Sequence, residues 1–361
     1  MIPRTAAALC LAFAAITQGA PADATSTRSG QRQKNDSPAR ADFNTRPEVR
    51  DFIEQMVGKH GFVERELATV FARARRYPAI IELITPPADP KVRSWQAYRA
   101  RFVEPIRIDG GVALWQKHAG VLARAEAQYG VPAEIIVAIM GVETVYGRNA
   151  GNWRVIDALA TLAFGYPRRA PFFRSELENY LLFVREQDID VFSVQGSYAG
   201  AIGIPQFMPS SWRNFAVDFN GDGRIDLRTS FEDSIGSIAS FLKGHGWVAG
   251  APIALRAEVS GSAHRDFLAK DILPSVPASE VGRYGVVAVD LERHVPSRDT
   301  PLALIDLTTP DRPTEYRLGL TNFYVITRYN RSSFYAASVQ DLALAIRAAR
   351  ALQAGKTPVE R

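Results

Sequence analysis

Apolar positions fall at helical spacing over most of the chain and at strand spacing near its end. From Asn44 to about Arg124 they recur every three or four residues, with breaks at Pro78, Pro86-Pro87, Pro90 and Pro105, and this predicts a run of short helices. Residues 132–146 predict another helix: Ile135, Ile136, Ile139 and Met140 form its stripe, Pro132 suits its first turn, and Gly147 with Asn149 suits its end. Helices are also expected over 157–163, over 173–186 with Phe173, Leu177, Tyr180, Leu181 and Val184 on one side, and over 233–245. The character changes after Trp247. Residues 253–259, 286–290 and 302–307 read as strands, 316–318 and 323–327 extend that character, and helix returns at about 333–352. The pattern is α+β, mainly α, with a small β substructure inserted near the end.

One polar residue breaks the apolar stripe. Glu143 lies three and four residues beyond Met140 and Ile139, in the last turn of its predicted helix. Desolvation and the negative helix end both disfavour a carboxylate there, so its pKa should rise. A carboxylic acid kept protonated near neutral pH suits a general acid, although a structural ion pair with Arg148 or another cation would explain the same residue.

The first residues change the count of what must fold. Arg4 precedes an apolar run over 6–16 that is too short to span a bilayer, and Ala20-Pro-Ala22 is a small-x-small cleavage pattern, so 1–22 reads as an export signal. Residues 23–42 are polar and read as a flexible leader. Cys10, the single cysteine, lies in the signal, in a context unsuited to lipidation; disulfides, thiol catalysis and cysteine zinc sites are therefore not expected in the mature chain. The formal charge of +5 becomes +4 without Arg4. A mild basic excess fits an anionic polymer, while no basic run with interleaved aromatics argues for nucleic acid. No later apolar run could cross a membrane, and a soluble exported protein is expected.

Two further stretches carry candidate chemistry. In 195–212, small residues at Gly196, Ser197, Ala199, Gly200, Ala201 and Gly203 permit close approach of a ligand or another backbone. Gln206, Ser210 and Ser211 add neutral hydrogen-bonding groups beside Tyr198, Phe207 and Trp212, a mixture that suits a sugar better than a phosphate; a tight turn before a helix is the plainer reading. In 218–226, Asp218, Asn220, Asp222 and Asp226 stand at positions 1, 3, 5 and 9 of an EF-hand-like loop, with Gly223 at 6 and the Arg224 carbonyl at 7. Position 12 is Thr229, so Asp233 is the expected closing ligand for calcium; an Asx-rich turn capping the next helix is the alternative. His60, His118, His245, His264 and His294 are scattered without metal or triad spacing.

Six blocks in order then resemble the lytic murein transglycosylase B family: 141–147, 166–170, 196–200, 205–211, the calcium-like loop and 322–330. The resemblance runs from about Tyr98 to Ala345. It implies a helical domain over 43–115, a lysozyme-like catalytic core over 116–247 with the calcium loop, a small β-domain over 248–315, and a return to the core with a C-terminal helix over 316–355. It implies cleavage of the MurNAc-β-1,4-GlcNAc bond of peptidoglycan with 1,6-anhydro ends, Glu143 acting as the single acid/base. It also implies substrate contacts from Ser197, Gln206 and Asn330, from Arg168 and Arg169 toward carboxylates, and from Tyr98, Tyr146, Phe241, Tyr329 and Tyr335. Phe241 stands where the family's founding member, a lipoprotein, has a tyrosine. Expected partners are glycan strands, with cell-wall synthesis or remodelling complexes as the wider setting, and the expected state is a periplasmic monomer. Competing readings are a muramidase that adds Asp188 or Asp190, and a non-catalytic murein-binding protein.

Overall fold

Prolines open several helices and left-handed glycines close others, so much of the element order follows from local chemistry. The computed structural model describes residues 43–86, 93–288 and 297–354. The expected export signal, leader and Cys10 lie outside the described residues, as do Pro87, Pro90 and the end of the strand expected over 286–290. Six helices come first: α1 (Pro47–His60), α2 (Glu64–Arg73), α3 (Pro78–Ile84), α4 (Trp95–Ala100), α5 (Pro105–Lys117) and α6 (Ala119–Tyr129). Pro47, Pro78 and Pro105 stand at helix starts, where a missing N–H costs nothing. Gly61 and Gly130 end α1 and α6 at φ 66° and 72°, a conformation that glycine adopts without strain. There follow α7 (Ala133–Thr144), β1 (Trp153–Arg154), α8 (Val155–Gly165), α9 (Ala170–Glu186), β2 (Gln195–Gly196), α10 (Pro209–Phe215) and α11 (Phe231–Gly244).

The chain then forms an antiparallel sheet from β3 (Ala254–Val259), β4 (Val276–Pro277), β5 (Val286–Ala288), β6 (Pro301–Leu307) and β7 (Glu315–Gly319), in the order β4-β6-β7-β3-β5, with α12 (His264–Leu268) between β3 and β4. Strand β6 shows why this region reads as a nearly continuous apolar run. Ala303, Ile305 and Leu307 face the main core, while Leu302 and Leu304 alternate into a second, smaller core with Phe267, Val286 and Leu318. The chain ends with α13 (Thr321–Tyr329) and α14 (Ser333–Ala354).

One apolar core runs from Phe43 to Ile346 and includes buried residues of α1, α2, α7, α8, α9, α11 and α14. Phe52, Phe71 and Phe164 meet edge to face at 5.8 to 6.0 Å, joining the first helices to α8. Asp157, fully buried in the first turn of α8, accepts from the Arg75 N–H at 2.9 Å and from Arg154 Nε at 2.6 Å, so its charge is both paired and favourably placed at a helix start.

Two elements differ from the sequence expectation. Residues 323–327 are not strand but part of α13, because Phe323, Val325, Ile326 and Tyr329 are buried at helical spacing; β-branched composition loses to packing there. The helix bearing Glu143 is also shorter than expected: Pro132 is its N-cap residue, and it ends at Thr144 with Val145 in the left-handed region at φ 50°.

Candidate active site

Glu143 lies one residue from the end of a helix that is buried on nearly every side. Its side chain keeps partial access to solvent, but the packed walls remove most of the surrounding water. Burial pushes its pKa up to about 7, and a hydrogen bond from Tyr335 opposes part of that rise. Tyr335 Oη donates to Glu143 Oε1 at 2.5 Å, and Tyr335 is only 2% exposed. The negative end of α7 is itself met by a cation, since Arg107 Nε donates to the Gly141 carbonyl at 3.0 Å. Desolvation is therefore the main cause of the shift. Among the described residues no carboxylate shifts Glu143: Asp190 instead raises Tyr180 of α9 and accepts the Phe192 N–H, and Asp188 is exposed.

The backbone just after Glu143 is strained and tied down. Val145, Tyr146 and Gly147 are all left-handed, at φ 50°, 60° and 85°, and a β-branched residue in that region is an outlier. Thr144 Oγ1 donates to the Ile204 carbonyl at 2.9 Å and accepts the Gly147 N–H at 2.8 Å. Tyr146 Oη donates to the Arg107 carbonyl at 2.5 Å. A left-handed turn fixed from several directions beside a candidate acid is a common place for stored strain.

The small-residue stretch serves its own backbone. Gly203, at φ 75°, lies against the Leu227 carbonyl, where a Cβ would collide. Ser197 Oγ accepts the Ala201 N–H at 3.0 Å, and Gln206 Nε2 donates to the Ala150 carbonyl at 3.1 Å. Gln206 thus ties this stretch to the segment following Glu143, and Ser197 and Gln206 both remain half-buried.

The aromatic residues expected to face the sugar divide. Tyr98 is half-buried, and burial with the nearby Glu143 carboxylate pushes its pKa up to about 12. It is joined to the Glu143–Tyr335 pair. Phe241 is no groove face: it is 3% exposed and packs against Phe207, Phe215, His245 and Tyr329, which explains why it needs no hydroxyl. Tyr329, 6% exposed, is also a wall behind the site, with its Oη donating to the Pro205 carbonyl at 2.5 Å and its ring stacked on Tyr335. Tyr335 supports the acid instead of presenting a stacking surface. Tyr146 turns back against α5 and Gly141, so it braces the helix end.

Asn330 is nearly buried just beyond α13. Arg168 is exposed and Arg169 half-buried, the latter over the Phe172 ring at 4.4 Å, with its charge acting on buried Glu176. The supporting contacts from Thr144, Tyr335 and Arg107 had no sequence signal beyond proximity or motif membership; Tyr335 is 192 positions from Glu143.

The loop at 218–226 is folded around its own acceptors. Asp218 takes the N–H groups of Gly221, Asp222 and Gly223, and Asn220 Oδ1 takes that of Asp222 at 3.0 Å. Asp222 Oδ1 takes the Arg224 N–H at 2.9 Å. Asp218, Asn220 and Asp222 thus hold the loop by accepting its own backbone N–H groups. Asp233 does not close it. This fully buried carboxylate accepts the N–H groups of Phe219 and Asn220 through Oδ1 and of Asp226 through Oδ2, clamping the loop to α11 from beneath. Asp233, expected as the closing ligand, is instead a buried cap on loop backbone N–H groups near the start of α11. Among the described residues no cluster of three His, Cys, Asp or Glu side chains is formed.

Comparison with known proteins agrees with this geometry. The family described as "Transglycosylase SLT domain" matches residues 44–344. The chain is 39% identical over 345 residues to the membrane-bound lytic murein transglycosylase B of Escherichia coli (strain K12), covering 90% of this chain and 91% of that protein. Its fold is similar to the soluble lytic transglycosylase SltB1 of Pseudomonas aeruginosa, with a TM-score of 0.78, 46% identity, and 84% and 100% of the two chains covered. It is similar as well to the E. coli lytic transglycosylase Slt35 in complex with calcium, with a TM-score of 0.75, 38% identity, and 90% and 100% covered. SltB3 of P. aeruginosa in complex with NAG-NAM-pentapeptide matches with a TM-score of 0.71 and 32% identity over 83% and 79% of the chains.

Proposed function

The chain belongs to the transglycosylase SLT-domain family and is a lytic murein transglycosylase, and from that premise we propose that Glu143 is its single acid/base. The bond cleaved is the MurNAc-β-1,4-GlcNAc link of peptidoglycan. Protonated Glu143 gives its proton to the glycosidic oxygen as the bond from C1 to that oxygen breaks. The resulting carboxylate takes the proton of the muramic C6 hydroxyl as that oxygen attacks C1, leaving a 1,6-anhydro end and a regenerated acid. The nucleophile belongs to the substrate, so no second carboxylate is required. The observation that carries this reading is a Glu143 shifted to about 7 by burial, with a tyrosine beside it and, among the described residues, no carboxylate acting on it. A pKa there leaves both protonation states accessible for the two halves of the reaction. Tyr335 orients the acid and stabilises its ionised form. Tyr98, Ser197, Gln206 and Asn330 serve the sugar, and Arg168 and Arg169 serve carboxylates on the substrate.

We further propose that Asp218, Asn220, Asp222 and the Arg224 carbonyl hold calcium, which would supply charge to fix the loop against α11 without entering the reaction. The relative Slt35 solved with calcium supports this. The enzyme acts in the periplasm; among the described residues no helix is long and apolar enough to cross a membrane.

The test is product mass. Wild-type digestion of purified peptidoglycan should yield anhydro-muramic ends, and Glu143→Gln should bind glycan while losing lysis by a factor of about a thousand or more. Reducing muramic ends would replace this reading with hydrolysis, and undiminished turnover in Glu143→Gln would remove that residue from the mechanism.

A further inference from the structure

A second concave site lies where α4, the sheet and α14 meet, with a volume of about 520 Å³. Its floor is a saturated ion network. Arg317, 7% exposed, donates to Glu315 through Nε and Nη2, to Asp341 through Nη1 and Nη2, and to Gln340 through Nη1. Arg99 Nε also holds Asp341 at 2.6 Å, and Trp95 Nε1 donates to Glu315 at 3.0 Å. The Arg317–Asp341 pair at its centre is nearly buried, which makes this part of the network costly to assemble and rigid once complete.

The charge is not balanced. Three guanidinium groups, from Arg99, Arg256 and Arg317, line the cavity with two carboxylates, from Glu315 and Asp341. Both carboxylates are taken by Arg317 and Arg99. Arg256, exposed on β3, has no carboxylate partner among the described residues. Its planar donor fork is suited to an incoming carboxylate. Leu307, Pro313 and Leu344 give the same cavity aliphatic walls, and Leu344 is 45% exposed. The chemistry that fits is a carboxylate carried on a short chain of small aliphatic residues.

Its position relates it to Glu143. The Trp95 ring is 5.5 Å from Phe334, and Phe334 is 5.6 Å from Tyr98, the tyrosine that senses the Glu143 charge. Trp95 and Arg99 turn toward the cavity from the same short helix that carries Tyr98. A peptide of four or five residues, at roughly 3.3–3.6 Å each when extended, is long enough for separations of this order.

We propose that this cavity is a second substrate contact that holds a carboxylate of a peptide attached to the glycan, with Arg256 as its primary cation. The inference rests on the peptidoglycan activity given above and assigns to the same enzyme a way to favour peptide-bearing strands. Arg256 binds substrate at a distance from the reacting bond, so it acts on kcat/KM for substituted glycan alone.

The experiment compares wild type with Arg256→Ala and Arg256→Glu on two substrates, intact peptidoglycan and the same glycan stripped of peptides by an amidase. On the peptide-bearing substrate, Arg256→Ala should lower kcat/KM by about tenfold and Arg256→Glu by more, as expected for loss of one charge-assisted contact. On stripped glycan both variants should stay within about twofold of wild type, because an exposed side chain leaves the fold intact. Calorimetry with the free pentapeptide should show binding that Arg256→Glu abolishes. Equal rates for variant and wild type on intact peptidoglycan, or equal losses on both substrates, would overturn the proposal. A wild type that releases no anhydro ends from intact peptidoglycan would instead take down the proposed function, and this contact with it.

Discussion

At the scale of single residues, Glu143 sets stability against activity. Its pKa is raised from 4.5 to about 7, so the folded state favours the neutral acid. That preference is fully satisfied below the unfolded-state value and is lost as pH rises through about 7, when the buried group ionises. Glu143→Gln mimics the neutral form at every pH. Its stability should match that of wild type near pH 4 and exceed it at pH 8, by at most on the order of 3 kcal/mol, less where groove water screens the charge. Thermal melts at the two pH values decide this; equal stability at pH 8 would mean that the fold tolerates the anion. Tyr335 pulls the other way, because its hydroxyl stabilises the ionised carboxylate. Tyr335→Phe should therefore move the alkaline limb of the kcat/KM profile to higher pH, by up to about one unit, and lower the plateau several-fold through loss of orientation. An unmoved limb would limit Tyr335 to packing.

At the scale of elements, the calcium-like loop and its clamp make separable contributions. Asp233 holds three backbone N–H groups from beneath, whereas Asp218 and Asn220 are the proposed calcium ligands. Asp233→Asn should lower the melting temperature whether or not calcium is present, because a buried acceptor pattern is broken at a cost of about 1–3 kcal/mol. Asp218→Asn should instead abolish any rise on adding calcium, and chelation should lower wild-type stability by mass action. Calorimetry with calcium and with chelator distinguishes them; a wild type indifferent to both would leave the loop as a capped turn. The same elements show what the sequence could tell. Helix α7 and the odd carboxylate on it were legible because Ile135, Ile136, Ile139 and Met140 repeat at 3.6 spacing around Glu143. The resemblance also named Tyr98, on which the Glu143 charge acts. Burial of Phe241 and Tyr329 was not legible, since an aromatic in a groove and one in its wall have the same composition. The helix over Thr321–Tyr329 was misread because its β-branched residues mimic a strand until the buried positions are known. Tyr335 was named, but its hydrogen bond to Glu143 depends on the α13–α14 return, which local pattern does not contain.

At the scale of the whole molecule, the site depends on a core that begins far from it. Phe43 and Phe71 belong to the same continuous apolar cluster as Ile136, Phe207 and Leu342. Helix α5 contributes Arg107 to the exit turn after Glu143, and α8, held from the other side by the first helices, packs on α9. The helices over 43–115 are therefore expected to melt together with the catalytic helices, while the smaller core around Phe267 and Leu318 shares β6 with them. Phe71 tests this because it is fully buried, meets Phe52 and Phe164 edge to face, and touches none of the residues assigned to substrate. Phe71→Ala should cost about 3–5 kcal/mol. That loss should lower the melting temperature by roughly 10 °C, in a single transition that takes the Glu143 helix with it. At 25 °C the folded fraction should retain wild-type kcat, because no group near the reacting bond has moved. The two quantities have different meanings. A second, earlier transition that leaves activity intact would show the first helices to be an independent unit, and a changed kcat in the folded enzyme would show that the aromatic joint shapes the site itself.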